Sequence, residues 1–172
     1  MITTATILSG VAQGLIWAIL TLGVYLTFRI LDIADLTVEG TFPLGAAVTV
    51  VLINTGMSPA MAMLCALLAG AAAGFITGFL HTIFQIPAIL SGILTMIALY
   101  SVNIRIMSDK ATVALEQPSL KTWMLSLLPE GTVSNTVSII LGTVFCLLIV
   151  ALLYYFFGTE IGCAVRATGS NQ

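Results

Sequence analysis

Long stretches of this chain carry no charge. Residues 1–28, 40–104 and 131–159 contain no Asp, Glu, Lys or Arg, and their apolar residues do not alternate with polar ones. A helix needs about 20 mostly apolar residues to cross a bilayer. The first and third stretches therefore hold one span each, and the middle one holds three with tight connections. The lack of a two-residue period disfavours a transmembrane barrel. Helices remain as the spanning elements, because lipid offers no partner to a free backbone N–H or C=O. The expected fold is an all-α integral membrane protein of about five transmembrane helices, with a broken or short second helix and a short interfacial helix in the fourth connection.

Span 1 covers residues 6–28. It lacks a basic leader and a small-residue cleavage site, so it reads as a retained span. Gly10 and Gly14 form a GxxxG step on it, and Arg29 is an interfacial anchor that can snorkel. Span 2 is short, since residues 41–54 rise only about 21 Å at about 1.5 Å per residue. Gly40 and Pro43 both resist an unbroken helix. The pattern predicts a half-helix starting near Thr41, preceded by non-helical backbone. Ser58 and Pro59 open span 3 (59–84) as a cap followed by proline at the first helical position. Gly70, Gly74 and Gly78, with Ala66 one step earlier, make a small-residue stripe read as a helix-packing face, which is also compatible with a subunit interface.

His81 has two readings, a proton relay or a side chain that hydrogen-bonds at the helix end. Gln85-Ile86-Pro87 turns the chain into span 4, which reaches about Asn103. Residues 105–135 form the one extended polar connection. Within it, Ser119 precedes Leu120, Trp123, Met124, Leu127 and Leu128 at helical spacing, and Pro129, Glu130 and Gly131 end the run. A short surface helix with Trp123 at headgroup depth is expected. Span 5 covers 137–157, after which residues 158–172 turn polar.

Composition supports the membrane assignment: 59% of residues are hydrophobic and 7% charged, against about a quarter charged in soluble domains. The net charge is -2 with no basic run, so nucleic-acid binding has no electrostatic support. Cys65, Cys146 and Cys163 are far apart and suggest neither a disulfide framework nor a metal site. No GxxxxGK[ST] sequence is present, and no His/Glu cluster or Ser/Lys pair stands out. The chain thus offers no catalytic residue and no cofactor site, and it does not read as an enzyme.

The candidate chemistry lies in LDIADLTVEG, residues 31–40, which holds Asp32, Asp35 and Glu39, three of the chain's seven acidic residues. One reading is a solvated turn, with Glu39 favoured beside the positive end of the next helix. The other is a broken-helix segment at a gate, where Asp32 or Asp35 pairs with Arg29 in one state and releases it in another.

Three passages resemble one family. Residues 26–48 (LTFRILDIADLTVEGTFPLGAAV), 81–107 (HTIFQIPAILSGILTMIALYSVNIRIM) and 159–172 (TEIGCAVRATGSNQ) are similar to permease subunits of bacterial ABC importers of the branched-chain amino acid and ribose class. Within that class they are most similar to the branch assigned to tryptophan, tyrosine or no known substrate. The resemblance implies one transmembrane permease domain over residues 1–172, the N-terminal part of a longer permease in a bacterial inner membrane. It places 105–135 outside the cell. It places 159–172 inside, as the approach to a helix that docks on the ATPase, with Arg166, Ala167, Thr168, Gly169 and Asn171 as coupling candidates.

The implied partners are an ABC ATPase subunit that binds the ATP, an extracytoplasmic substrate-binding protein and a second permease subunit, with a homodimer expected. Arg105, Lys110 and Lys121 then lie outside and Arg29 and Arg166 inside, a charge count that runs against the positive-inside rule. Competing functions are an ion-coupled secondary transporter or channel using the broken span and His81, and a non-transporting partial permease.

Overall fold

The computed structural model describes residues 4–127 and 134–170. Every regular element among them is helical: α1 (Thr4–Tyr25), a π-helical turn (Leu26–Ile30), α2 (Thr37–Asn54), α3 (Pro59–Thr82), α4 (Ala88–Ile106), α5 (Leu120–Leu127), α6 (Ser134–Phe157) and α7 (Glu160–Ser170). Among the described residues five stretches are long and apolar enough to cross a membrane: Thr6–Ile30, Thr37–Asn54, Pro59–Thr82, Ala88–Ile106 and Asn135–Phe157. The protein is an all-α, multi-pass membrane protein. A short helix, α5, occupies the fourth connection where the sequence places a surface helix. Its expected end at Leu128, Pro129, Glu130 and Gly131 lies outside the described residues.

The second span differs from the sequence-based expectation. α2 begins at Thr37, not near Thr41, and runs without interruption through Gly40 and Pro43 for 18 residues, about 27 Å. Its first N–H group, that of Thr37, donates to Asp35 Oδ1 at 2.8 Å, which starts the helix four residues early. Pro43 removes one backbone bond from the second turn. The carbonyl left without that donor is Glu39's, and the next one, Gly40's, accepts a bond from Asn103 Nδ2 on α4 at 3.3 Å. Gly40 itself is needed for contact: a Cβ there would lie 3.0 Å from Leu99 Cδ1 and 3.1 Å from Met96 Cα.

The chain divides into two compact units, residues 33–119 and residues 1–32 with 120–172. In the first, α2, α3 and α4 enclose Leu44, Ala73 and Leu99, flanked by Val48, Ala69 and Ile106. The buried face of α4 is Ser91, Gly92, Thr95, Leu99 and Asn103, a repeat of nearly four residues that presents mainly small and polar groups. Both hydroxyls are satisfied locally, Ser91 Oγ on the Ala88 carbonyl and Thr95 Oγ1 on that of Ser91. Thr37 and Thr77 share a buried bond of 2.9 Å between α2 and α3.

The expected glycine stripe is not part of this packing. A Cβ on Gly70, Gly74 or Gly78 would meet nothing within 4 Å, and the buried positions of α3 are Ala62, Ala73 and Thr77. The stripe is offset from the face that packs within the unit, because α2 and α4 contact the alanines beside it. Ser58 and Pro59 do begin α3, with Ser58 extended at ψ 142, although the Ser58 hydroxyl makes no cap bond.

In the second unit, α1 and α6 run parallel. Leu15 packs on Gly142, and further along both helices Trp17 to Tyr25 face Cys146 and Val150. Gly10 and Gly14, expected as a packing step, have open space around their Cβ positions. The α1–α6 contact is made by Leu15 entering the gap left by Gly142, so the glycine that matters lies on the partner helix.

Candidate functional site

α7 closes the end of the second unit. Thr159 starts it: its hydroxyl accepts the Gly162 N–H at 3.3 Å, and its carbonyl accepts the Cys163 N–H at 3.0 Å. Gly162 and Gly169, two turns apart, lie on one face. A Cβ on Gly162 would collide with the Phe156 carbonyl and Phe157 Cα at the end of α6. A Cβ on Gly169 would collide with the Ile30 carbonyl, and it would lie 3.0 Å from Leu31 Cα. α7 thus lies with its backbone directly on the ends of both α6 and the π turn. No larger residue permits that approach at either glycine.

Arg166 lies between these glycines on the same helix. Its guanidinium sits over the Phe157 ring, 5.1 Å from the centroid, within cation–π range. It borders two clefts. One, of about 410 Å³, is lined by Tyr154, Tyr155, Phe157, Gly158 and Thr159. The other, of about 390 Å³, is lined by Tyr25, Arg29, Ile30 and Gly169. Arg29 and Arg166, predicted for different roles, therefore share a cleft. Among the described residues the one ion pair is Arg105 with Asp109, 3.2 Å apart and exposed, so neither Arg29 nor Arg166 has a carboxylate partner.

The acidic patch is divided between the two units. Asp32 ends its unit, exposed and with φ 54, a left-handed conformation that Asp tolerates better than most residues. It makes no ion pair with Arg29. Asp35, in the other unit, is half-buried. Its carboxylate caps the start of α2 and packs against Gly92, where a Cβ would stand 3.0 Å from Asp35 Oδ1 and 2.9 Å from the Leu36 nitrogen. Glu39 is exposed in the first turn of α2, where the helix dipole favours a negative charge. Of the coupling candidates, Ala167 and Thr168 are exposed on α7, and Asn171 lies outside the described residues.

His81 is held at a helix end. Its Nδ1 lies 2.8 Å from the Ile86 carbonyl. A carbonyl only accepts, so that nitrogen carries the proton. The bond closes the turn in which Gln85 adopts φ 56.

Two polar residues were not singled out from the sequence. Asn54, the last residue of α2, donates to the Ala114 carbonyl at 2.9 Å and accepts from the Glu116 N–H at 3.0 Å. It pins the polar connection in both directions, as a backbone strand would. Asn103, 3% exposed, bonds Gly40 through Nδ2, while its Oδ1 is buried without a partner. Asn54 at the head of an Asn-Thr-Gly sequence and Asn103 late in an apolar span were the available signals.

Comparisons with known proteins agree with this architecture. The profile of the branched-chain amino acid transport system / permease component family matches residues 6–172. A protein of Clostridioides difficile (strain R20291) named as a tyrosine transport system permease protein is 38% identical over 166 residues, 96% of this chain and 52% of that protein. An uncharacterized protein of Rickettsia prowazekii (strain Madrid E), RP368, is 36% identical over 166 residues, 96% of this chain and 55% of its own length. This chain spans about half the length of these curated relatives. No solved structure matches it. With the family profile covering nearly all of its length and five membrane-spanning helices behind it, this chain belongs to the permease component family of branched-chain amino acid transport systems.

Proposed function

We propose that the chain is a membrane subunit of an ATP-driven importer in a bacterial inner membrane and forms part of the path for an amino acid or a related small compound. The observation that carries this reading is the family match over residues 6–172, joined by the relative named for tyrosine transport. ATP hydrolysis belongs to a partner ATPase subunit, cargo arrives on an extracytoplasmic binding protein, and a second permease subunit completes the path.

α7 is the surface for ATPase coupling. Gly162 and Gly169 fix one face of it to α6 and the π turn, while Ile161, Ala164, Ala167 and Thr168 stay exposed on others. A push on that exposed face is transmitted through backbone contact to the end of the first span, with little side-chain slack. The acidic segment then acts at the entry to α2: Asp35 holds the helix start, and Asp32 and Glu39 stay in water.

The test is uptake of labelled tyrosine into vesicles holding the permease with its ATPase and binding protein. Uptake should require ATP. Unchanged uptake without nucleotide, lost when the proton gradient is collapsed, would instead establish an ion-coupled carrier.

A further inference from the structure

We propose that the α1–α6 face of the second unit binds one anionic phospholipid, with the phosphate between Arg29 and Arg166 and an acyl chain in the groove beneath. The proposal rests on the membrane-spanning assignment and is independent of the transport reading. An apolar groove of about 480 Å³ runs from Gly14 to Tyr25 along α1, closed on its other side by Cys146 and Val150 of α6. The 11 steps from Gly14 to Tyr25 rise about 16 Å, roughly the depth of one leaflet of a hydrocarbon core about 30 Å thick. Tyr25 also borders the cleft that holds Arg29 and Arg166. Groove and cleft therefore meet at one side chain.

The order along the membrane normal is that of a lipid. The first span ends at Ile30, so Arg29 stands where headgroups begin, and the apolar groove continues from there into the span. Both guanidiniums lack a carboxylate partner among the described residues. A guanidinium offers five N–H donors in a planar fork that suits phosphate oxygens, and basic pockets at the ends of membrane helices suit anionic headgroups. Charge complementarity selects the occupant. An apolar helix laid in the groove would cover the two cations without supplying a counter-charge, which is costly near lipid.

Trp17 lines the groove and can report on it. With Trp123→Phe as background, Trp17 is the single tryptophan. The protein is reconstituted in phosphatidylcholine vesicles containing increasing fractions of brominated phosphatidylglycerol. Quenching of Trp17 should rise more steeply than random mixing of the two lipids allows. Arg29→Gln and Arg166→Gln should each weaken the phosphatidylglycerol preference about fivefold, and together roughly thirtyfold. The double Arg→Lys variant should keep most of it, which separates lost charge from lost fold. Wild-type quenching on the random-mixing line would overturn the proposal, whether the groove is empty or filled by protein. So would an unaltered preference in the double Gln variant. Added inorganic phosphate should leave the quenching curve unchanged, and loss of the preference would show a site for free phosphate instead of lipid.

Discussion

In the unit of α2, α3 and α4, 28% of the most apolar stretch of α2 and of α4 and 11% of that of α3 is buried, against 6% in α1 and 11% in α6 of the other unit. The helices of this unit exchange polar bonds across their interfaces, Thr37 of α2 with Thr77 of α3 and Asn103 of α4 with the Gly40 carbonyl of α2. The helices of the other unit meet through the Leu15 side chain on Gly142 and through backbone proximity at Gly162 and Gly169, and they leave grooves and cations without a carboxylate partner. Lipid tails are as apolar as a leucine side chain, so apolar contact alone drives little helix association in a bilayer. The first unit gains specificity from small residues and hydrogen bonds. The second keeps surface available for lipid or for partners.

The largest effect is expected where backbone meets backbone. Gly169→Val should displace α7 from the π turn, because the added Cβ runs into the Ile30 carbonyl and not into a movable side-chain end. Overpacking of this kind costs about 1–3 kcal/mol, and the upper end applies to a backbone clash. Trypsin cleavage after Arg166 measures the opening and should accelerate more than tenfold. ATP-dependent uptake by the assembled transporter should fall with it. Cleavage at the wild-type rate would mean that the contact between α7 and the π turn holds nothing.

Gly92→Val should be next, at about 2–3 kcal/mol, measured as unfolding of the purified protein in detergent. A Cβ there stands 2.9 Å from the Leu36 nitrogen and 3.0 Å from Asp35 Oδ1, so the start of α2 must move off α4. Asp35→Ala removes the cap alone and should cost about 1 kcal/mol. If the two changes cost the same, the role assigned to Gly92 as close-packing space is wrong.

The sequence revealed elements more readily than contacts. Uninterrupted apolar runs identified five spans, and a short periodic run identified α5, because both are local patterns. The start of α2 was misplaced: Gly40 and Pro43 carry helix-breaking propensity, and what overrides it is Leu99, Met96 and Asn103 on another helix. The spacing of Gly70, Gly74 and Gly78 pointed to a packing face, yet spacing does not say which side of a helix meets its neighbours. Asp32, Asp35 and Glu39 looked like one site because they are close in sequence. Asp32 takes a left-handed backbone at the end of one unit, and Asp35 and Glu39 flank the helix start at Thr37 in the other. Arg29 and Arg166 are brought together only by the fold.

A smaller effect should come from the Thr37–Thr77 bond. Interhelical hydrogen bonds in bilayers average about 0.6 kcal/mol and reach about 1.7 at most. Thr37→Val and Thr77→Val keep the shape and remove the bond, so their double-mutant cycle in detergent unfolding should give a coupling of about 1 kcal/mol, above the average because both residues are buried. A coupling near zero would weaken the contrast drawn between the two units, leaving the bond from Asn103 to the Gly40 carbonyl to carry it.

The smallest effect on folding is expected at the stripe. A Cβ on Gly70, Gly74 or Gly78 enters open space, and alanine is a better helix former than glycine by up to about 1 kcal/mol per residue in water. Gly74→Ala should therefore leave unfolding unchanged or slightly harder, the opposite sign to Gly92→Val. Gly74→Leu should also be tolerated by the isolated chain, because the larger side chain meets no neighbour there. Assembly is a separate readout. If the stripe receives a second permease subunit, Gly74→Leu should shift the assembled species toward monomer in size-exclusion chromatography while leaving detergent unfolding intact. Equal stability with equal assembly would identify the stripe as lipid-facing surface. Glycine on a membrane helix would then mark close packing in this protein only where, as at Gly40, Gly92 and Gly169, another element already fills the space.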